Sequence, residues 1–223
     1  MIKTELGDIQ LLQPWSTFVM KLKMSDSLIK TALKMTNDAL IEKNKPYGKS
    51  LAGQIDEEWG LMDKFLSEEY LNLKNYITQA STQYTIMANV QNNSNIEDNN
   101  LPNTTISEIW SVHQYDNEYN PIHLHTAQIS GVFYLKIPEY LPTKKQHQEH
   151  DTDDGSIVFI NNSAGNNGMG GLIPWGNKSY LKVNPQVGDF YLFPACMYHT
   201  VYPFRTETGK EERRSVSFNV FIN

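Results

Sequence analysis

Three histidines in this sequence have the spacing of a metal site. His123 and His125 are separated by one residue, and side chains at positions i and i+2 of a strand project to the same face. His199 follows a second strand-like segment, FYLF. Three imidazoles from neighbouring strands can hold one metal ion and leave further coordination positions open. The alternatives are a surface pair for His123 and His125 and an ordinary half-buried histidine for His199.

A second group of residues with possible chemistry lies near the C-terminal end. In RRSVSFNVF, strand alternation places Arg213 and Ser215 on one face and Arg214 on the other. A guanidinium binds a carboxylate through two parallel hydrogen bonds, and a nearby hydroxyl can add a third. Because a buried arginine needs an anionic partner, this pair favours a bound dicarboxylate. Two alternatives stay open here: an ion pair of Arg213 with Glu211 or Glu212, and an inward-facing Arg214.

The second half of the chain has the strands that would position these residues. From Ile106 onwards, apolar segments alternate with turn residues: ISEIWSVHQY, HLHTAQISGVFYLKIP, SIVFINN, SYLKVN, FYLFPACMYHTVYPF and RRSVSFNVFI. Several short strands with no helix between them indicate a β-sandwich or β-barrel.

The first half of the chain is different. Residues 1–23 have the pattern of extended segments, and residues 26–43 are predicted to form a helix. Residues 57–87 are predicted to form a second helical region, with a break near Gly60 or Ser67 because a single helix of this length is unusual.

Helices followed by strands indicate the α+β class, with helices packed on one face of a β-core. We expect a single domain over residues 1–223. Within it, residues 1–105 would supply buttressing strands and helices, and residues 106–223 would form the β-core with the site.

Composition excludes several classes of protein. The 223 residues include 19 Lys and Arg, 25 Asp and Glu, and one cysteine, with a formal net charge of −6. This acidic balance argues against a nucleic-acid partner, and one cysteine excludes a disulfide framework. We expect no membrane partner and a cytoplasmic location, because the sequence has no bilayer-spanning run and its first residues lack a signal-peptide pattern. The helical first half could form a homodimer contact.

The ordered segments HLHTAQISGVFYLKIP, GDFYLFPACMYHTVYPF and ERRSVSFNVF resemble the iron(II)/2-oxoglutarate-dependent oxygenases. Within that family they are most similar to a small bacterial and phage branch with a His-x-His segment before an SGVYY-type strand. The resemblance covers about half of the chain, from about Trp110 to the end. It implies a double-stranded β-helix, a jelly roll related to the cupins. It also implies Fe(II), 2-oxoglutarate as cosubstrate, and dioxygen.

The resemblance also implies a role for each candidate residue. By position, His123 matches the first iron ligand and His199 the distal one. Arg213 with Ser215 matches the Arg-x-Ser pair that binds the far carboxylate of 2-oxoglutarate. Tyr134 matches a tyrosine that contacts this carboxylate in related enzymes; a core aromatic is the alternative.

One position departs from the wider family, which has His-x-Asp or His-x-Glu. Here His125 stands in place of the carboxylate, which would leave a bound metal more positive. We interpret His125 as the third iron ligand. The alternative is a position outside the ligand set, with water in its place. Asp116 is a less favoured substitute, because its surroundings have the pattern of a turn.

These observations predict an Fe(II)- and 2-oxoglutarate-dependent dioxygenase. The expected reaction is hydroxylation of a C–H bond in a peptidyl or small-molecule substrate, with release of succinate and CO2. The alternative is a metal-binding cupin-like protein with other chemistry, or a non-catalytic binding module on the same scaffold.

Overall fold

The computed structural model describes residues 2–4, 7–9, 17–43, 45–48, 51–91, 102–141, 153–161 and 180–223. The strands in these ranges are β1 (Ile2–Thr4), β2 (Gly7–Ile9), β3 (Met20–Lys23), β4 (Glu57–Gly60), β5 (Thr104–Gln114), β6 (Asn120–His123), β7 (Ile129–Lys136), β8 (Ile157–Ile160), β9 (Tyr180–Val183), β10 (Asp189–Pro194), β11 (His199–Val201) and β12 (Arg213–Ile222). The helices are α1 (Asp26–Glu42), α2 (Met62–Phe65) and α3 (Leu71–Gln91), with a 3-10 turn, Glu68–Tyr70, before α3.

The strands form two larger antiparallel sheets and one small hairpin, β1–β2. The six-stranded sheet has the order β3-β10-β7-β12-β5-β4, and the four-stranded sheet has the order β6-β11-β8-β9. Side chains from both sheets meet in one apolar cluster, which includes Val132, Tyr191 and Phe193 from the first sheet and Ile157, Phe159 and Val201 from the second. Along the chain, β5, β7, β10 and β12 of the first sheet alternate with β6, β8–β9 and β11 of the second. This strand order is that of a jelly roll, or double-stranded β-helix, so the predicted fold is confirmed.

The helices cover the outer face of the six-stranded sheet. Buried residues of α1 and α3 share a core with alternate residues of β5, β7, β10 and β12, among them Ala32, Met35, Leu73, Ile77, Phe133, Phe190, Val216 and Phe218. This arrangement confirms the α+β class with helices on one face. No helix in the described part of the chain is both long and apolar enough to span a bilayer.

The region predicted as a helix over residues 57–87 is helical only in part. Glu57–Gly60 forms β4, which pairs antiparallel with β5 at the edge of the six-stranded sheet. One break is predicted, near Gly60 or Ser67; the structure has a break at each of these places, and a continuous helix begins only at Leu71. The segment was mistaken for helix because four residues are too few to reveal their periodicity, and pairing with β5 decides their conformation.

Strand β12 is central in the fold because it pairs with both β5 and β7. Its alternate residues face opposite layers, as the sequence pattern predicts. Arg213, Ser215, Ser217 and Asn219 line a cavity between the sheets, whereas Val216, Phe218 and Val220 join the core beneath the helices.

A buried ionic cluster ties this strand to its neighbours on the helical side. Glu212 accepts hydrogen bonds from Arg214 Nε and Nη2, and lies 2.6 Å from His113 Nδ1 and 2.7 Å from Lys136 Nζ. Burial would raise the pKa of Glu212, but its bonds to His113, Arg214 and Lys136 outweigh burial and hold the pKa well below its usual range.

Removing this carboxylate should destabilise the protein. We expect Glu212→Gln to lower the free energy of unfolding by about 3 kcal/mol, because Arg214 and His113 would stay buried without their anionic partner. The measurement is urea unfolding followed by circular dichroism at pH 7.5.

The Glu212 contribution also has a defined pH dependence. Because folding lowers the pKa of this carboxyl, its stabilisation is present above the ordinary glutamate pKa of about 4.3 and declines as the pH falls below that value. The difference in stability between the wild type and Glu212→Gln should therefore shrink below about pH 4. Glu207→Gln, an exposed position in the same loop, is the matched control. A loss of stability that is equal in the two variants would contradict the assignment.

Candidate active site

The three histidines predicted as a metal site lie together at one end of the β-helix. The antiparallel register of β6 and β11 places His123 directly opposite His199, and their ring centroids are 4.2 Å apart. His125 Nε2 lies 3.3 Å from His199 Nε2. One nitrogen from each ring falls within 4.8 Å of the other two. Three ligand nitrogens this close together could hold a single transition-metal ion.

Hydrogen bonds to the backbone fix two of these rings. His123 Nδ1 donates to the carbonyl oxygen of Pro121 at 2.7 Å, and His199 Nδ1 donates to that of Met197 at 3.0 Å. A proton on Nδ1 leaves the Nε2 lone pair free for a metal, and such bonds also hold the ring in orientation.

The electrostatics of the cluster favour neutral imidazoles. Burial, followed by repulsion from His123, lowers the pKa of His125 to about 4 and that of His199 to about 3. Burial also lowers the pKa of His123. A neutral imidazole is the form that binds metals. At neutral pH these three histidines are therefore in the protonation state that metal binding requires.

His125 reaches the cluster by a route that differs from the prediction. β6 ends at His123, so the two residues do not belong to one strand. His125 is instead held by a hydrogen bond from its backbone N–H to the carbonyl oxygen of Ala195, and its ring packs beside Trp110 at 5.8 Å. Asp116 is not a substitute ligand, because its carboxylate accepts hydrogen bonds from the backbone and hydroxyl of Thr206.

Arg213 lines the same cavity as the histidines, which has a volume of about 300 Å³. Its side chain is 2% exposed, and its Nη1 donates to the carbonyl oxygen of Gly155 at 2.9 Å. Its Nε has no hydrogen-bond partner among the described residues. Ser215 and Tyr134 face each other across β12 and β7 and also line the cavity.

The neighbouring Arg214, rather than Arg213, forms the ion pair with Glu212. It points to the helical side, where it binds Glu212, and its Nη1 donates to Asn37 Oδ1 and to Thr36 Oγ1. Arg213 makes none of these contacts. Its side chain faces the cavity instead.

Two tyrosines leave further polar atoms unsatisfied near Arg213. The guanidinium carbon of Arg213 lies 5.0 Å from the ring centroid of Tyr134, and the hydroxyl groups of Tyr134 and Tyr140 are buried without partners in the described ranges. Burial raises the pKa of both phenols, so both keep a proton that can be donated. Gly155 has a φ of +65°, and a Cβ there would lie 2.4 Å from Tyr140 Cζ. Glycine thus lets the backbone approach the tyrosine closely.

These donors fit a carboxylate. The Nε–H of Arg213 and the hydroxyls of Tyr134 and Tyr140 are buried and lack hydrogen-bond partners among the residues that the structure describes, and such donors match the hydrogen-bonding capacity of one anionic group. The histidine cluster on the same cavity fits a divalent metal with open positions. Together they accommodate a molecule with a metal-binding end and a second carboxylate.

The sequence analysis missed three residues near these sites. Tyr140 lies in a connection after β7, and nothing in its sequence context points to Arg213. Glu58 lies on β4, which was predicted as helix, so its cavity-facing side was not visible. Glu108 also lines the cavity, and its alternation with Trp110 on β5 is the signal that could have found it.

Comparison with known proteins points to one family. Residues 108–219 match the family model described as "Putative 2OG-Fe(II) oxygenase". No curated protein sequence matches the chain.

Two solved structures with TM-scores above 0.5 share this fold. A prolyl-4-hydroxylase from Pseudomonas putida is 16% identical, with 90% of this chain and 91% of that chain covered and a TM-score of 0.51. The non-heme alpha ketoglutarate dependent epimerase SnoN from nogalamycin biosynthesis is 13% identical, with 91% and 76% covered and a TM-score of 0.53. A 2OG-Fe(II) oxygenase family oxidoreductase from Burkholderia pseudomallei is 15% identical over 53% of this chain, at a TM-score of 0.36, and the match spans only 43% of that protein.

Proposed function

Since the chain belongs to the 2OG-Fe(II) oxygenase family, we propose that it is an Fe(II)- and 2-oxoglutarate-dependent dioxygenase that hydroxylates a C–H bond of a peptidyl or small-molecule substrate. The convergence of three neutral imidazoles and one buried arginine, whose Nε has no partner among the described residues, on a single cavity is the observation that carries this proposal. We also propose that residues 1–223 act as one oxygenase domain. The cytoplasmic location and the homodimer stay predictions.

His123, His125 and His199 would hold the metal. In this family, the bound iron with 2-oxoglutarate and dioxygen supplies the oxidising chemistry, and the cosubstrate leaves as succinate and CO2. The chain would contribute one ring nitrogen from each histidine, and the Nδ1 hydrogen bonds of His123 and His199 fix two of the rings. Because all three ligands are neutral, the full positive charge of the ion would be balanced only by its other ligands, which favours an anionic chelator such as a 2-oxo acid.

Arg213, Ser215 and Tyr134 would bind the carboxylate at the far end of 2-oxoglutarate. The guanidinium supplies a planar pair of donors, and the hydroxyls of Ser215 and Tyr134 add further ones. We add Tyr140 to this set, because its hydroxyl is buried and unsatisfied beside the same arginine. These residues would orient the cosubstrate and exclude water from it.

The proposal is tested by anaerobic titration of the protein with Fe(II) and 2-oxoglutarate. We expect the weak visible charge-transfer band of an iron-bound 2-oxo acid, followed by succinate formation when air is admitted. Screening lysyl, arginyl and prolyl peptides for stimulated succinate release then searches for the primary substrate.

Other outcomes would identify the alternatives. Metal binding without the band or succinate would indicate a cupin-like protein with different chemistry. Absence of both metal binding and 2-oxoglutarate binding would indicate a non-catalytic binding module.

A further inference from the structure

A buried carboxylate on the cavity has no role in the proposed metal and cosubstrate sites. Glu58 is 3% exposed, and its Oε2 has no hydrogen-bond partner among the described residues. Glu58 pairs with Val112, which in turn pairs with Ser215. Because residues opposite each other on neighbouring strands share a face, this register turns Glu58 toward the cavity. Glu58 and Ser215 both line it.

The surroundings of Glu58 offer it little compensation. An apolar cluster of Ile55, Trp110 and Val112 lies on this side of the sheet. Gly48, in the adjacent loop, lies close to the Glu58 carboxylate: a Cβ at Gly48 would be 3.1 Å from Glu58 Oε2. Burial, followed by the nearby Glu118, raises the pKa of Glu58 to about 7. A buried carboxylate oxygen without a donor is costly, and a ligand that supplies a donor to it removes that cost.

A second carboxylate and an aromatic pair line the same cavity as Glu58. Glu108 is two residues before Trp110 on the same face of β5 and lines the cavity. The rings of Tyr47 and Trp110 stack with centroids 5.1 Å apart. Aromatic faces attract cations, so rings and carboxylates together favour a positively charged group.

The charges of the cavity are separated along the sheet. Arg213 is the only lysine or arginine among its described lining residues. In the β5–β12 register, Arg213 lies opposite Gln114 and Glu108 lies opposite Asn219. Six residues of strand separate these two pairs, a distance of roughly 20 Å. Glu108 therefore lies far from Arg213 along the strands, whereas Glu58, in register with Val112 and Ser215, is separated from Ser215 by two strand spacings across the sheet, roughly 10 Å.

We propose that Glu58 binds a positively charged group of the primary substrate, which is therefore an amine or guanidinium compound such as a lysyl or arginyl side chain. This inference rests on the proposed function, since it assumes that the substrate occupies the cavity beside the metal.

The test compares ligands that differ in charge but hardly in shape. The protein, loaded with Mn(II) and 2-oxoglutarate under argon, is titrated with acetyl-Gly-X-Gly-amide peptides by isothermal calorimetry. X is arginine or its neutral isostere citrulline, and lysine or Nε-acetyl-lysine. Free arginine distinguishes a small-molecule ligand from a peptidyl one. We expect the arginyl or lysyl ligand to bind about 10-fold more tightly than its neutral counterpart, as for one charge-assisted contact.

Variants assign this preference to Glu58. Glu58→Gln should reduce the preference to less than about twofold. Glu57→Gln is the matched control, because Glu57 precedes it on β4 but interacts with Lys43 outside the cavity. Thermal unfolding of both variants verifies that they are folded. Equal binding of charged and neutral ligands by the wild type, or equal weakening of both by Glu58→Gln, would overturn the inference.

Calorimetric titration of the same Mn(II)-loaded samples with 2-oxoglutarate distinguishes failure of the inference about Glu58 from failure of the proposed function. If 2-oxoglutarate binds and the cationic ligands have no advantage, only the inference about Glu58 fails. If 2-oxoglutarate does not bind, the proposed function itself fails.

Discussion

Replacing Arg213 with alanine is expected to weaken 2-oxoglutarate binding about 100-fold while leaving divalent-metal affinity nearly unchanged. Truncating one partner of a buried charge-assisted pair typically costs 2 to 5 kcal/mol, and about 1.4 kcal/mol corresponds to a factor of ten. Arg213 is buried, and among the described residues its guanidinium donates to the carbonyl of Gly155 and lies over the ring of Tyr134. Loss of the Arg213 side chain should therefore reduce mainly the affinity for 2-oxoglutarate. The measurement is calorimetric titration of the Mn(II)-loaded variant with 2-oxoglutarate.

Two further variants sharpen this experiment. Arg213→Lys keeps the charge but loses the planar fork, so we expect an intermediate loss of affinity. Arg205→Ala removes an exposed arginine and should bind 2-oxoglutarate normally. If Arg213→Ala weakened metal binding and spared 2-oxoglutarate, the role proposed for Arg213 would be wrong.

The second large effect concerns the metal. His199→Ala and His123→Ala should each lower the affinity for Co(II) by more than about 100-fold, since losing a ligand should exceed the 10- to 100-fold effect of losing a group that only orients one. Visible absorption of bound Co(II), with a competing chelator, gives both the affinity and the ligand geometry. Circular dichroism verifies the fold of each variant.

His125 is the position at which this series decides between two arrangements. As a ligand, His125 should give the same loss of affinity and a changed Co(II) spectrum when it is replaced by alanine. A loss of less than tenfold with an unchanged spectrum would place it outside the ligand set, with water in the third position. His125→Asp, which introduces the carboxylate found in the wider family, should restore Co(II) binding.

The sequence is most informative where both faces of a strand are buried. Arg213 and Arg214 are adjacent and chemically alike, yet alternation alone assigns them correctly, because one face of β12 meets the cavity and the other meets the helices. The convergence of His123 with His199 could be expected from residue type and order. The fold class followed from the change from helical to strand-like segments.

Other features depend on tertiary contacts that the sequence does not display. β4 has only four residues, and hydrogen bonds from β5 keep it extended. For the same reason Glu58 could not be assigned to the cavity. His125 lies beyond the end of its strand, where Ala195 rather than periodicity determines its position. Tyr140 meets Arg213 only because the chain folds back past Gly155.

The opposite orientations of Arg213 and Arg214 also make this protein sensitive to slippage of its last strand. Moving β12 by a single position relative to its neighbours would exchange the two guanidinium groups. The helical layer would lose the anchor that joins it to Glu212, and the cosubstrate end would receive a side chain aimed from the wrong position. A one-residue shift of β12 would thus impair the packing of the helices and the binding of the cosubstrate together. We therefore expect no stable, partly active form of the protein with a shifted β12.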